Sequence, residues 1–183
     1  MALTPSTMVA LGTPAPDFRL PSTTGELVGL ADFADAKAVL VVFMCNHCPY
    51  VVHVADELAR LGRDLQARGV AMIGINSNDA VKYPSDNPEA MAREVENRGY
   101  VFPYLFDEDQ SVARAYDAAC TPDPFLFDAD RKLVYRGELD DSRPSNGKPV
   151  TGAAIRAAID AVLEGRPVPG EQIPSMGCNI KWK

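Results

Sequence analysis

The residues with the most chemistry to offer are four cysteines, and two of them stand close together in the run Cys45-Asn46-His47-Cys48-Pro49. Two intervening residues put the second sulfur one helical turn beyond the first, within reach for closing a small disulfide. If a helix begins here, its free backbone N–H groups and roughly half a unit of positive charge face the sulfurs. A thiolate at Cys45 is then expected, with its pKa below the ~8.5 of a free cysteine. Pro49 suits the first helical turn, where no N–H is needed. The chemistry this predicts is disulfide exchange. Cys45 attacks a substrate disulfide, and Cys48 resolves the mixed disulfide and leaves an oxidised pair. A protonated His47 would favour the thiolate and the reduced form, moving the couple toward oxidising potentials; a plain solvated side chain is the competing reading.

Other readings of the pair exist. C-x-x-C can be half of a zinc site, but no second pair follows at ligand spacing, since Cys120 and Cys178 stand alone and His53 falls inside a helical pattern. No metal or other cofactor is expected. Two inert core cysteines are the remaining alternative.

The elements that must position the pair are legible. Ala38 to Met44 is a continuous apolar run rich in β-branched residues, which reads as a strand buried on both faces. From Pro49 to Arg68, Val51, Val54, Leu58, Leu61 and Leu65 recur at helical spacing, and Gly69 supplies a stop. Val70 to Ile75 reads as a second buried strand, completing a strand–helix–strand unit with a right-handed crossover. Arg19-Leu20 and Leu27 to Leu30 can pair as a hairpin, and Asp32 to Ala36 suggests a short helical piece. Asn76 to Asn87 reads as a polar loop that starts with a turn at Asn76 to Asp79. A helix is predicted over Pro88 to Arg98, an extended piece over Tyr104 to Phe106, and a short helix over Ser111 to Tyr116. Phe125 to Phe127 and Leu133 to Tyr135 suggest a hairpin. Gly152 to Leu163 closes as a helix, and Glu164 to Lys183 reads as a tail rich in Pro and Gly. Asp107, Glu108 and Asp109 read as a solvated loop and not a metal cluster. One α/β domain over 1–183, with a core at about 12–163 and a tail at 164–183, accounts for this order.

Composition narrows the function classes. The 183 residues are 46% hydrophobic and 23% charged with a formal net charge of -7, an ordinary balance for a globular chain. It argues against a nucleic-acid footprint, which needs a clustered basic face. It gives no basic face for an anionic membrane surface, and no apolar run approaches the ~20 residues that span a bilayer. Met1 to Ala10 carries no positive charge and no sustained apolar core, so no signal peptide is read there. A cytoplasmic location is expected, where a cysteine pair is more often redox-active than structural.

The strand, the C-x-x-C, the helix and a later Thr-Pro ahead of a hairpin strand together resemble the thioredoxin superfamily. More narrowly, the chain resembles the AhpC/TSA-type redoxins, grouped with peroxiredoxins and TlpA-like proteins, in their peroxiredoxin-like subgroup. The segments that carry this are GTPAPDFRLPSTTG at 12–25, VLVVFMCNHCPYV at 39–51, VAMIGINSND at 70–79, CTPDPFLFD at 120–128 and SMGCNIKWK at 175–183. The resemblance implies a three-layer sandwich, a mixed central β-sheet flanked by helices, with an N-terminal β-hairpin extension. It implies Cys45 as nucleophile and Cys48 as resolving cysteine. It also implies that Thr121-Pro122 is a cis-proline step facing the pair and offering backbone groups to a bound substrate.

The departures from that family pattern are informative. Met44 replaces the Trp usual before the first cysteine, and Val39 replaces the buried acid that serves the resolving thiol. Peroxiredoxins carry Pro-x-x-x-Thr-x-x-Cys, a frame that here reads Val41, Cys45, Cys48, and no arginine falls near Pro122. Thiol–disulfide exchange is therefore the first reading and peroxide reduction the second; a non-catalytic redox-sensing or binding module is the third. The expected partners are a disulfide-containing protein or small molecule and a cellular thiol reductant. Cys120 beside Thr121, and Cys178 in a tail able to fold back, are auxiliary candidates for a relay. Small buried cysteine is the commoner outcome for both. Trp182 is expected to anchor the tail.

Overall fold

The computed structural model describes residues 3–183; Met1 and Ala2, part of the segment judged above for a signal peptide, lie outside it. In chain order the elements are β1 (Leu3–Pro5), β2 (Arg19–Pro21), β3 (Leu27–Gly29), β4 (Ala38–Phe43), α1 (Pro49–Arg68), β5 (Val70–Asn76), α2 (Pro88–Arg98), β6 (Tyr104–Phe106), α3 (Ser111–Ala115), β7 (Cys120–Thr121), β8 (Asp123–Phe127), β9 (Leu133–Tyr135), α4 (Ala153–Leu163) and β10 (Met176–Asn179).

The apolar run expected to form a two-faced strand becomes β4, the middle of a five-stranded sheet ordered β6-β5-β4-β8-β9. β4 pairs parallel with β5 and antiparallel with β8, so the sheet is mixed. Its residues alternate between two cores. Ala38, Leu40 and Val42 join the side chains of α1, α2 and α4 on one face. Val39, Val41 and Phe43 join Val112 and Ala113 of α3, with Phe18, Leu20 and Leu30 from the N-terminal hairpin region, on the other. Helices thus flank both faces, and the sheet has the thioredoxin-like arrangement. β2 and β3 pair antiparallel as the N-terminal hairpin.

The α1 stripe of Val51, Val54, Leu58, Leu61 and Leu65 is buried against the sheet. Each such side chain contributes roughly 1.5–3 kcal/mol when fully withdrawn from water. The helix stops at Gly69, whose φ of 76° is open to glycine at little cost and lets its N–H close on Gln66. α2 starts on Pro88, with the Asn87 side chain accepting from Ala90 N at 2.8 Å.

Three expectations need correction. The piece assigned to Asp32–Ala36 is a 3₁₀ turn over Leu30–Phe33; the Asp32 carboxylate accepts from Gly29 N at 2.8 Å, so the turn closes around Asp32 instead of starting there. Asp107 is not solvated. It is fully buried, accepts from Ser77 Oγ at 2.7 Å and from the backbone N–H groups of Val112 and Ala113, and so satisfies the start of α3. Lastly, the tail is not wholly irregular. β10 is the middle strand of a second sheet ordered β1-β10-β7, which seats the tail directly on the segment ahead of Pro122.

Candidate active site

α1 begins at Pro49, so Cys48 is the residue that caps it, in extended conformation, and Cys45 sits in the turn between β4 and the helix. Facing them is the end of β7 and the Thr121–Pro122 bond, which is cis. Cys45 Sγ lies 3.4 Å from Thr121 Oγ1, and Cys48 Sγ lies 3.2 Å from the Thr121 carbonyl oxygen. All four cysteines are free thiols. The two sulfur-bearing residues are almost sealed, at 1% exposure for Cys45 and 0% for Cys48, so a reagent must displace something to reach them.

The distribution of charge differs from the one expected. The Cys45 thiol is held well above its ordinary pKa, first because it donates to Cys48, then by burial and by the nearby Asp86 carboxylate. Cys48 is lowered to about 4 by its neighbours, the Cys45 thiol first and Cys178, Thr121 and Val51 after it, with burial opposing them. The Thr121 carbonyl 3.2 Å from Cys48 Sγ favours a proton there. Against that acceptor stands the start of α1, which Cys48 caps, and the Asp86 carboxylate lies within 4.8 Å of the Cys45 sulfur. The two sulfurs titrate as a pair sharing one proton, Cys45 pushed up and Cys48 pulled down. The expectation of a lowered Cys45 assumed that Cys45 meets the helix terminus, whereas the residue at that terminus is Cys48.

His47 is half-buried and stacks on Tyr83, with ring centroids 5.3 Å apart and planes within 4°. Its Nδ1 meets Asp86 Oδ2 at 2.6 Å, an ion pair that is not aligned as a linear hydrogen bond. The carboxylate raises the pKa of the imidazole against the cost of burying it. The cation expected to bias the couple toward oxidation therefore has its charge largely neutralised by a buried anion. Asp86 was missed in the sequence because it lies in the polar stretch read as a loop. It also accepts from Asn46 N and from Asn78 Nδ2, each at 2.8 Å. Cys45, His47 and Asp86 each offer one ligand atom, all within 4.8 Å of one another, a sulfur–nitrogen–oxygen set that could hold a metal ion.

The two auxiliary cysteines part company. Cys120 turns its sulfur to the carbonyls of Pro122 and Ser175, at 3.7 and 4.0 Å, and burial pushes its thiol up. Cys178 pairs across the sheet with Thr121; burial first, then the neighbouring Cys48, raise it to about 12. Beyond it the tail is laced to the floor of the site. Lys181 N donates to Asn78 Oδ1 at 2.8 Å, and Lys183 N donates to Gln110 Oε1 at 2.9 Å. Arg114 lies over the Trp182 ring at 4.6 Å, an anchoring contact of the kind expected for this residue. His53 is a packed helix residue whose Nε2 meets Ser142 Oγ at 3.1 Å.

A sheet of this order, a cysteine pair at the start of the first long helix and a cis-proline opposite define a thioredoxin-fold redoxin. Within that class the chain belongs to the AhpC/TSA family, which matches residues 11–136. It is 30% identical over 105 residues, 57% of this chain and 62% of the relative, to peroxiredoxin Bcp of Escherichia coli K12. An uncharacterized conserved protein from Geobacillus kaustophilus superposes with a TM-score of 0.98 at 57% identity, covering 100% of this chain and 97% of that one. The hypothetical protein SMc02350 from Sinorhizobium meliloti 1021 gives a TM-score of 0.97 at 53% identity, over 98% of both chains. More distant solved structures, at 20 to 23% identity, share the fold alone. The chain is an enzyme of the thiol oxidoreductase class.

Proposed function

We propose that this enzyme is a dithiol–disulfide oxidoreductase in which Cys48 leads and Cys45 resolves, the reverse of the order the family resemblance implies. The single observation that carries this reading is placement: Cys48 caps the start of α1, while the Asp86 carboxylate lies within 4.8 Å of the Cys45 sulfur. The Cys48 thiolate attacks one sulfur of a disulfide, forming a mixed disulfide and releasing the other half as a thiolate. The Cys45 thiol then gives its proton to the Asp86–His47 pair and attacks Cys48. That step closes the Cys45–Cys48 disulfide and releases the second thiolate. Asp86 thus supplies from the loop the proton acceptor that the chain lacks at Val39. Thr121, whose hydroxyl and carbonyl meet the two sulfurs, and Pro122 after it frame the entry for substrate. A cellular thiol returns the pair to the reduced state. Residues 1–183 act as one unit with the tail as part of the site, and a cysteine pair used for exchange suits the cytoplasm. Among the described residues no helix is long and apolar enough to cross a membrane.

Peroxide reduction is the second reading, and the position of Cys48 favours it. Cys48 occupies the place of the peroxidatic cysteine in the family frame and caps α1, where a thiolate is stabilised for attack on a peroxide.

The test compares wild type with Cys45→Ser and Cys48→Ser, using a small disulfide or hydrogen peroxide as oxidant. Exchange reading: Cys48→Ser abolishes disulfide consumption, and Cys45→Ser accumulates the mixed disulfide on Cys48. Rapid peroxide consumption, with sulfenic acid trapped on Cys48, selects the second reading instead. Retention of full turnover in Cys48→Ser overturns both.

A further inference from the structure

β7 is a two-residue strand whose far edge would present its N–H and C=O groups to an incoming extended peptide. That edge is filled by this chain's own tail. β10 runs antiparallel to β7 with Cys178 directly opposite Thr121 and Asn179 opposite Cys120. Residues directly opposite in an antiparallel pair project to the same face, with Cβ atoms about 4.5–5.5 Å apart. Thr121 directs its hydroxyl at Cys45 Sγ, so Cys178 is directed at the same pair and packs in one buried cluster with Cys48. The approach is as close as the backbone permits. A Cβ on Gly177 would stand 2.0 Å from the Thr121 carbonyl oxygen, so only glycine fits between the tail and the cis-proline segment. Cys48 and Cys178 both lie in the apolar cluster beneath α1, shielded from bulk reagents.

We propose that β10 is a tethered substrate: it fills the edge where an external peptide would pair and delivers Cys178 as a third redox-active thiol that forms a disulfide with Cys48. The inference rests on the redox reading of the Cys45–Cys48 pair and adds a second exchange to it. Cys178 attacks Cys48 in the oxidised pair; the S–S bond to Cys45 breaks, the bond between Cys48 and Cys178 forms, and the proton of Cys178 passes to the departing Cys45 sulfur. No electrons enter or leave in this step. While the tail is docked, the oxidants that reach Cys48 are small, such as a low-molecular-weight disulfide, and protein disulfides that must pair along β7 are shut out.

The experiment uses the full-length chain with oxidised glutathione as the probe, followed by alkylation of free thiols and mapping of linked peptides without reduction. In Cys45→Ser, Cys48 has lost its C-x-x-C partner, and the expected product is an intramolecular Cys48–Cys178 link in most molecules. Adding Gly177→Ala, which cannot seat the tail, is expected to convert that product to a glutathione adduct on Cys48. Gly177→Ala alone takes up alkylating reagent at Cys48 faster than wild type. Cys45→Ser that ends as the glutathione adduct with Cys178 freely alkylated overturns the inference. If wild type nonetheless forms Cys45–Cys48, the redox reading of the pair survives that result; if wild type forms no linkage at all, both fall.

Discussion

Replacing Cys45 with alanine removes the largest single influence on Cys48, the hydrogen bond that the Cys45 thiol donates to it. A hydrogen bond to a charged group contributes about 1.5–3 kcal/mol. At 1.36 kcal/mol per unit, its loss should raise Cys48 from about 4 to roughly 5–6. Burial stays in place, as does the position of Cys48 at the start of α1. The sign follows from the charge: the thiolate is populated above its pKa, so the alanine variant loses its reactive form earlier as pH falls. Cys45→Ser keeps an O–H donor and should move Cys48 less. The assay is the ultraviolet absorbance of the thiolate against pH in fully reduced protein, paired with the pH dependence of alkylation mapped by mass spectrometry. Cys48→Ala should abolish the low-pH transition. The reasoning is refuted if Cys45→Ala abolishes that transition and Cys48→Ala retains it, since the charge would then reside on Cys45.

Three further outcomes are expected. Asp86→Asn keeps an acceptor for Asn46 N but removes the charge beside His47, so the imidazole should titrate at lower pH by NMR, and disulfide closure should slow. Asp123 is fully buried and raised by burial to about 6, so its stabilising protonated form is lost as pH rises from the unfolded value near 4 through 6. Wild type should lose roughly 3 kcal/mol relative to Asp123→Asn across that window in urea unfolding. Leu58→Ala, at a fully buried α1 position, should cost about 2–5 kcal/mol in the same measurement.

The layout of the central sheet was legible because its determinants are local. β4 declares itself as an unbroken β-branched run, α1 as a helical stripe closed by Gly69, and α2 by Pro88 at its first turn. The cysteine pair was found for the same reason, being a short motif set between readable elements, whereas the Thr121-Pro122 step came from the family resemblance. What stayed hidden was long-range. β10 is four residues from a Pro- and Gly-rich tail, and only its partners β1 and β7, far away in sequence, make it a strand. Asp86 carries no local mark, because its role comes from His47 and Asn46 some forty residues earlier. Asp107 looked solvated in an acidic triplet, and its burial depends on the amides of α3 and on Ser77. The allocation of charge between two sulfurs turned on a one-element detail, which cysteine caps the helix, and spacing alone does not settle that.

The lacing of the tail makes the reactive centre answerable to residues that carry no sulfur. Lys181 holds Asn78, Asn78 holds Asp86, and Asp86 pairs with His47. Trimming by a carboxypeptidase that stopped just after Ile180 would spare every cysteine, yet cut the first link of that relay and free the carboxylate to drift. Loss of redox competence could then precede any loss of the sheet, and an intact cysteine count would be a poor certificate of an intact enzyme.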